Sequence, residues 1–308
     1  ESCWRRSARD RVRRSIRRAS RTRQSIERAM TILVFGGSSQ IGHFLLPRLL
    51  ECGESIISLS RQPRPEQAGV TWLHGQLPDQ VPVLPALSAI ISFGPLQPFA
   101  DWLAATPLAD APRVIATSSM SAETKRDSSV PAERVLARQL RDGEAALATA
   151  CERHGCAWTV LRPTLVYGAG LDKSLTPIAR RAMRLRLFPL PAGRGLRQPV
   201  HADDIAQAVL AALECQAAAG RILPIGGGER LRSGEMFARV RSSLSRSTVP
   251  LPLPAWLLRL GQRALPPLRG PLSRLDSDLI ADNGELQRLL GIRPRPFRPD
   301  PAMWVSPR

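Results

Sequence analysis

Short apolar runs alternate with amphipathic stretches along most of this chain. Ile32-Leu33-Val34-Phe35 is continuous and partly β-branched, the pattern of a strand buried on both faces. Ile41 to Leu50 then reads as a helix, with Pro47 removing one hydrogen bond inside it. Further strands are predicted at Glu54 to Leu59, Val70 to Leu73, Ala89 to Phe93 and Arg113 to Thr117, with a helix from Phe99 to Leu108 between the last two. Pro131 to Cys151, rich in Ala, Leu, Arg and Glu, reads as a long helix. A sixth strand at Ala157 to Val166, a helix at Asp203 to Leu213 and a seventh strand at Arg221 to Ile225 continue the alternation. Strand and helix in turn, with buried strands, predict an α/β protein with a doubly wound parallel sheet.

The pattern changes after Gly228. One helix is predicted at Ser233 to Leu244, followed by a proline-rich region from Pro250 to Pro271. The organisation expected is therefore residues 30–228 as the sheet domain, with part of 168–200 reaching the cleft, and 229–308 as a small C-terminal substrate lobe. Trp256-Leu257-Leu258-Arg259-Leu260 is amphipathic, and a helix covering the cleft is favoured over a membrane contact. Gly226-Gly227-Gly228 reads as a structural turn before that Ser233 helix.

The turn after the first strand carries the clearest chemistry. Gly36 and Gly37 permit a tight turn, Gly42 lets the next helix lie close to the sheet, and Ser38, Ser39, Gln40 and Ile41 begin that helix. Backbone N–H groups there face an anion, so a dinucleotide pyrophosphate is the expected ligand and the sheet is expected to be Rossmann-type. A glycine turn also occurs as a purely structural device; the strand before it and the helix after it favour the binding reading.

Charge invites a different reading. The net charge is +18, but of the 44 basic residues only Lys125 and Lys173 are lysines. That skew fits the codon usage of a GC-rich, bacterial genome, and the arginines after residue 30 are scattered without aromatic interleaving, so no specific nucleic-acid face is expected. Residues 1–29 hold 11 arginines against Glu1, Asp10 and Glu27. They read as a transit peptide, as a basic arm for nucleic acid or an anionic membrane, or as upstream codons translated in frame. The last is preferred because Met30 directly precedes the first strand. The five cysteines lack metal-ligand spacing and the four histidines are dispersed, so a reduced, cytoplasmic setting and no metal site are expected. No run of 18 uncharged apolar residues predicts a membrane span.

From Thr31 to about Phe297 the chain resembles the extended and atypical short-chain dehydrogenases, the NAD-dependent epimerase/dehydratase-like group. The glycine turn is similar to that family's G-x-x-G-x-x-G, with Ser39 at the central position. Thr117-Ser118-Ser119 is similar to its strand and serine pair, Leu161-Arg162-Pro163-Thr164-Leu165-Val166-Tyr167-Gly168 to its R-P-x-x-x-Y-G loop, and Val200-His201-Ala202-Asp203-Asp204-Ile205-Ala206 to its V-H-x-D-D-h-A segment. Leu286 to Phe297 is similar to its closing stretch. The resemblance implies that Gly94, Ser118 and Pro163 border the nicotinamide, that Gln76 stands where an aspartate often meets the adenine, and that the long helix is a surface for homodimers.

The end of the second strand reads Ser58-Leu59-Ser60-Arg61, with no carboxylate to hold a ribose 2′-hydroxyl until Glu66. A guanidinium clasps a 2′-phosphate, so Arg61 favours NADP(H) over NAD(H). The family's proton-transfer tyrosine and lysine are missing: aligned on Glu144, their places fall on Leu136 and Leu140. Ser119 keeps the position of the family's catalytic serine. Tyr167, the single tyrosine, with Lys173 six residues on, is a candidate replacement pair, although a tyrosine in that loop more often packs on the cofactor. His201 with Asp203 or Asp204 reads as a helix cap rather than a catalytic dyad. The expected function is an NADP(H)-dependent oxidoreductase or epimerase on a small organic or sugar-like substrate with non-standard acid/base residues. The alternative is a catalytically silent dinucleotide-binding sensor or assembly module.

Overall fold

The computed structural model describes residues 31–254, 256 and 275–306. Its centre is a seven-stranded sheet, numbered here in chain order: β1 (Thr31–Phe35), β2 (Ser55–Ser60), β3 (Val70–His74), β4 (Ala89–Ser92), β5 (Arg113–Thr117), β6 (Trp158–Pro163) and β7 (Arg221–Ile225). All pairings are parallel, in the order β7-β6-β5-β4-β1-β2-β3. The strand order reverses between β1 and β4, which opens a crevice at their carboxyl ends.

The alternation of side chains along each strand explains why both faces are apolar. Ile32 and Val34 of β1, with Ile91 and Ile115, join one core cluster beneath the helices Gln40–Glu51 and Ala202–Glu214. Leu33 and Phe35, with Ile90, Val114 and Ala116, join a second beneath Leu96–Ala105 and the long helix Pro131–Arg153. A sheet covered on both sides needs continuous apolar strands, which is what those runs are.

Differences from the expected elements have local causes. The Phe99 helix begins at Leu96, and the sixth strand stops at Pro163. Val166–Tyr167 instead pairs in parallel with Val200–His201 in a separate ladder. The helix Leu175–Leu185 was not anticipated because Pro177 hides it, yet a proline in the first turn lacks only an N–H that no helical carbonyl awaits. Leu187–Pro191 pairs with Val249–Leu253, a strand within the proline-rich region. Its prolines alternate, so the remaining N–H groups of Val249, Leu251 and Leu253 lie on one side of the strand.

A third cluster gathers Tyr167, Leu175, Phe188, Met236, Phe237, Phe297 and Trp304 from three separated stretches. Past residue 228 the helix Gly284–Leu290 nonetheless packs Leu286 and Leu290 into the first sheet cluster. The readings of residues 1–29 and, apart from exposed Trp256, of Trp256 to Leu260 lie outside the described residues.

Candidate functional site

A cavity of about 1650 Å³ runs along the carboxyl ends of six strands, crossing the crevice between β1 and β4. Its wall takes Phe35 and Gly36 after β1, Ser60 and Arg61 after β2, Gln76 after β3, Gly94 after β4, Ser119 after β5 and Thr164 after β6.

The turn after β1 is built by backbone requirements. Gly36 adopts φ +79°, a conformation L side chains rarely take, and a Cβ on Gly42 would lie 2.2 Å from the Gly37 carbonyl oxygen. Ser39 caps the helix that follows: its Oγ accepts from Gly42 N–H at 3.2 Å, and its own N–H donates to the Gly36 carbonyl at 2.9 Å. The serine in place of the middle glycine therefore turns its hydroxyl onto the helix start. Ser38, Ser39, Gln40 and Ile41 all line the cavity, whereas Gly37 packs behind them against Ser58. Gln40 donates from Nε2 to the Val166 carbonyl, and its buried Oε1 has no hydrogen-bond partner.

At the end of β2, Arg61 is exposed and makes no ion pair with any described residue. Arg64 lies over the Trp72 ring at 5.9 Å and reaches Ser60 Oγ at 3.4 Å. Gln76 exchanges both backbone hydrogen bonds with Gln80 across a tight turn on the cavity wall.

Beyond β5, Ser119 reaches the cavity, and its Oγ accepts from Ser121 N–H at 3.1 Å. Ser118 and Pro163 do not line it. They tie the ends of β5 and β6 together, Ser118 N–H donating to Leu161 and Met120 N–H to Pro163, while Ser118 Oγ is buried without a partner.

The structure corrects the candidate pair Tyr167 and Lys173. Tyr167 is fully buried in the third cluster, edge-on to His201 and Phe297, and is absent from the cavity wall. Burial, with Asp204 adding to it, pushes its phenol well above the ordinary tyrosine range. Lys173 lines the cavity without it. The cap reading of His201 fits the geometry: its Nδ1 accepts from Asp203 N–H at 3.1 Å at the start of Ala202–Glu214. Burial, helped by Arg295, pulls the imidazole below its usual value. Asp203 and Asp204 are taken by Arg295, and Asp203 also by Arg48 at 2.6 Å, pinning the tail to the sheet domain.

Leu136 is 38% exposed and Leu140 half-buried, and neither touches the cavity. The same helix keeps Glu144 almost fully buried, accepting from Nε and one terminal nitrogen of Arg162, whose other terminal nitrogen donates to Glu123 at 2.7 Å. Hydrogen bonding to Glu144 holds the Arg162 guanidinium firmly protonated.

Three wall residues were not read from the sequence. Lys125 ends the short helix Ser121–Thr124, its Nζ 3.4 Å from Glu133 of the long helix, and Glu133 also accepts from Ser128 Oγ at 2.8 Å. Arg197 is 6% exposed, donates to the Leu196 and Ser277 carbonyls and makes no ion pair with a described residue. Burial lowers its pKa, with Asp276 and Asp278 offsetting part of that. Its position three residues before the Val200-His201 segment gave no chemical signal without the cavity.

Residues 101–226 match the NAD dependent epimerase/dehydratase family, which bears out the family resemblance over the span holding the Thr117, Leu161 and Val200 motifs. A UDP-glucose 4-epimerase of Vibrio cholerae is 25% identical over 141 residues, 44% of this chain and 41% of that protein, so the match spans about two fifths of that relative. Among solved structures, MoeE5 in complex with UDP-glucuronic acid and NAD has TM-score 0.66 at 18% identity, over 87% of this chain and 94% of its own. The UDP-glucuronic acid 4-epimerase of Bacillus cereus, in complex with UDP-glucuronic acid and NAD, gives 0.63 at 15%, over 87% and 95%. The UDP-glucose 4-epimerase of Thermotoga maritima gives 0.62 at 17%, over 86% and 94%. At these identities the likeness is one of fold.

Proposed function

We propose that this protein binds a nicotinamide dinucleotide, NADP(H) in preference to NAD(H), and acts as an oxidoreductase or epimerase on a small organic or sugar-like substrate. The observation that carries this reading is the glycine cradle of Gly36 to Gly42 opening into a cavity along the strand ends. The residues fit the group: a Cβ would fill the cradle, and the buried Gln40 Oε1 at the start of its helix lacks a hydrogen-bond partner. The first-turn N–H groups of the helix Gln40–Glu51 hold the pyrophosphate. Arg61 holds the 2′-phosphate with a guanidinium that no described carboxylate pairs, Gln76 borders the adenine, and Gly94 lines the nicotinamide half, with Ser118 and Pro163 behind the wall tying the ends of β5 and β6 together. When bound, the dinucleotide supplies a hydride acceptor or donor. Arg197, a buried cation on the wall with no carboxylate partner among the described residues, orients an anionic part of the substrate. The ligands bound in the similar structures, UDP-glucose and UDP-glucuronic acid, make sugar nucleotides the first compounds to test.

Calorimetric titration with NADPH and NADH tests the cradle. Micromolar NADPH binding that weakens about tenfold or more in Arg61→Ala, with NADH unchanged, is the expected result. No binding of either dinucleotide overturns the proposal. The second reading, a catalytically silent module, is favoured by the two leucines outside the cavity. It requires NADPH binding without turnover of UDP-glucose, UDP-glucuronic acid or a panel of simple carbonyls.

A further inference from the structure

Both lysines of this chain line the cavity, whereas of its 42 arginines only Arg61 and Arg197 are on the described wall. On a solvated surface the two cations serve equally, so a chain that uses arginine nearly everywhere marks the places where an ammonium is required. What an ammonium can do and a guanidinium cannot is give up its proton and take it back, because its pKa responds to burial and to nearby charge. Lys125 is the inner of the two: its side chain is 14% exposed, against an exposed Lys173.

The other protonatable groups have different occupations. Tyr167 and His201 are buried away from the wall. Among the wall carboxylates, Glu123 is bonded to Arg162. Asp172 accepts the N–H groups of Ser174, Leu175 and Thr176 as the cap of their helix, and Asp278 accepts from Leu196 N–H. Asp127 is exposed beside Arg126. Among the described residues Glu133 of the long helix pairs with Lys125, while Glu123 and Asp127 of its own segment stand on the same wall. Glu133 is 7% exposed and sits in the first turn of its helix, where the dipole favours a carboxylate. Six residues before Lys125, Ser119 stands on the same wall.

Resting on the dinucleotide reading above, we infer that Lys125 is the proton-transfer residue of this cleft, positioned by Glu133 and Ser128, and that its substrate is a compound interconverting a secondary alcohol and a carbonyl. In the reducing direction the ammonium gives its proton to the carbonyl oxygen while the carbonyl carbon gains a hydride equivalent from a reduced nicotinamide. The C=O becomes CH–OH, Lys125 is left as the neutral amine, and water restores its proton. In the oxidising direction the amine takes the hydroxyl proton and the hydride leaves to the oxidised nicotinamide. Glu133 stays ionised throughout.

Having only two lysines makes the test direct. Reductive methylation of the full chain with ¹³C-formaldehyde yields two lysine resonances, and Lys173→Arg identifies the one from Lys125. With NADP⁺ bound, whose ring is cationic, the Lys125 resonance is expected to titrate about one unit lower than with NADPH bound. Glu133→Gln is expected to lower it as well, and the Lys173 resonance to respond to neither change. Lys125→Arg keeps the charge; NADPH affinity is expected to stay within about threefold, and turnover of any compound the wild type converts to fall about 10²–10⁴-fold. A Lys125 resonance indifferent to the redox state of the bound dinucleotide, or wild-type turnover by Lys125→Arg, overturns the inference. Failure of the wild type to bind either dinucleotide defeats the broader reading instead.

Discussion

The two ends of the cavity are made in different ways. From Gly36 to Gly42 the requirements fall on the backbone: a left-handed turn, a close helix approach and free N–H groups at a helix start. Such requirements admit few residues, and the single departure, Ser39, is accommodated by turning its hydroxyl onto the helix. The far wall, between Ser119 and Glu144, is built by side-chain pairing instead. Glu144 still meets Arg162 and fixes the long helix against β6, yet Leu136 and Leu140 face away from the cavity and Lys125 with Glu133 occupies its wall. Backbone geometry tolerates little exchange, whereas a proton can be moved by any suitably placed group, so the second end is free to change where the first is not.

The comparison is broken most severely at the shared scaffold. Arg162→Met leaves Glu144 buried without a partner and is expected to cost about 3–5 kcal/mol, read as a lower urea midpoint at unchanged slope. Next, Gly42→Ala drives a methyl into the Gly37 carbonyl. A loss of about 1–3 kcal/mol and abolished NADPH binding are expected by melting and calorimetry, and normal binding would mean the cradle does not need its backbone geometry.

A smaller effect is expected where the tail is pinned. Burial works to raise the Asp203 pKa, but the hydrogen bonds from Arg295 and Arg48 outweigh it, so the folded value lies below the ordinary one. The stabilisation is therefore present above the unfolded carboxylate value and lost as pH falls through the folded value. Asp203→Asn is expected to lower stability by about 1–2 kcal/mol at pH 7, discounted for its half-exposed partners, with the difference from wild type vanishing in strong acid. The smallest change sharpens the contrast. Leu136→Tyr with Leu140→Lys restores the residue types that the family resemblance would place there, but on a face outside the cavity. Stability within about 0.5 kcal/mol of wild type and no gain in turnover are expected; a large gain would show that this face reaches the substrate.

Much of the sheet was legible because its strands are buried on both sides and so read as unbroken apolar runs: β3, β4, β5 and β7 begin where the pattern places them, and β1 one residue earlier. The small ladders were not legible. Val166–Tyr167 and Val200–His201 are two residues each and owe their existence to one another across 34 residues of chain. Val249–Leu253 looked like a proline-rich loop because alternation of N–H groups matters only when a partner strand lies on one side.

The sequence by itself determined the glycine turn, the arginine after β2 and the leucines at positions 136 and 140, because each depends on residue type at a fixed local spacing. Only the tertiary structure decided that Tyr167 is enclosed by Phe297 and His201, that Arg197 stands buried on the wall with no ion pair among the described residues, and that Lys125 meets Glu133. Those facts depend on which side chains distant elements bring together and which they seal from water, and burial and charge pairing are properties of that assembly.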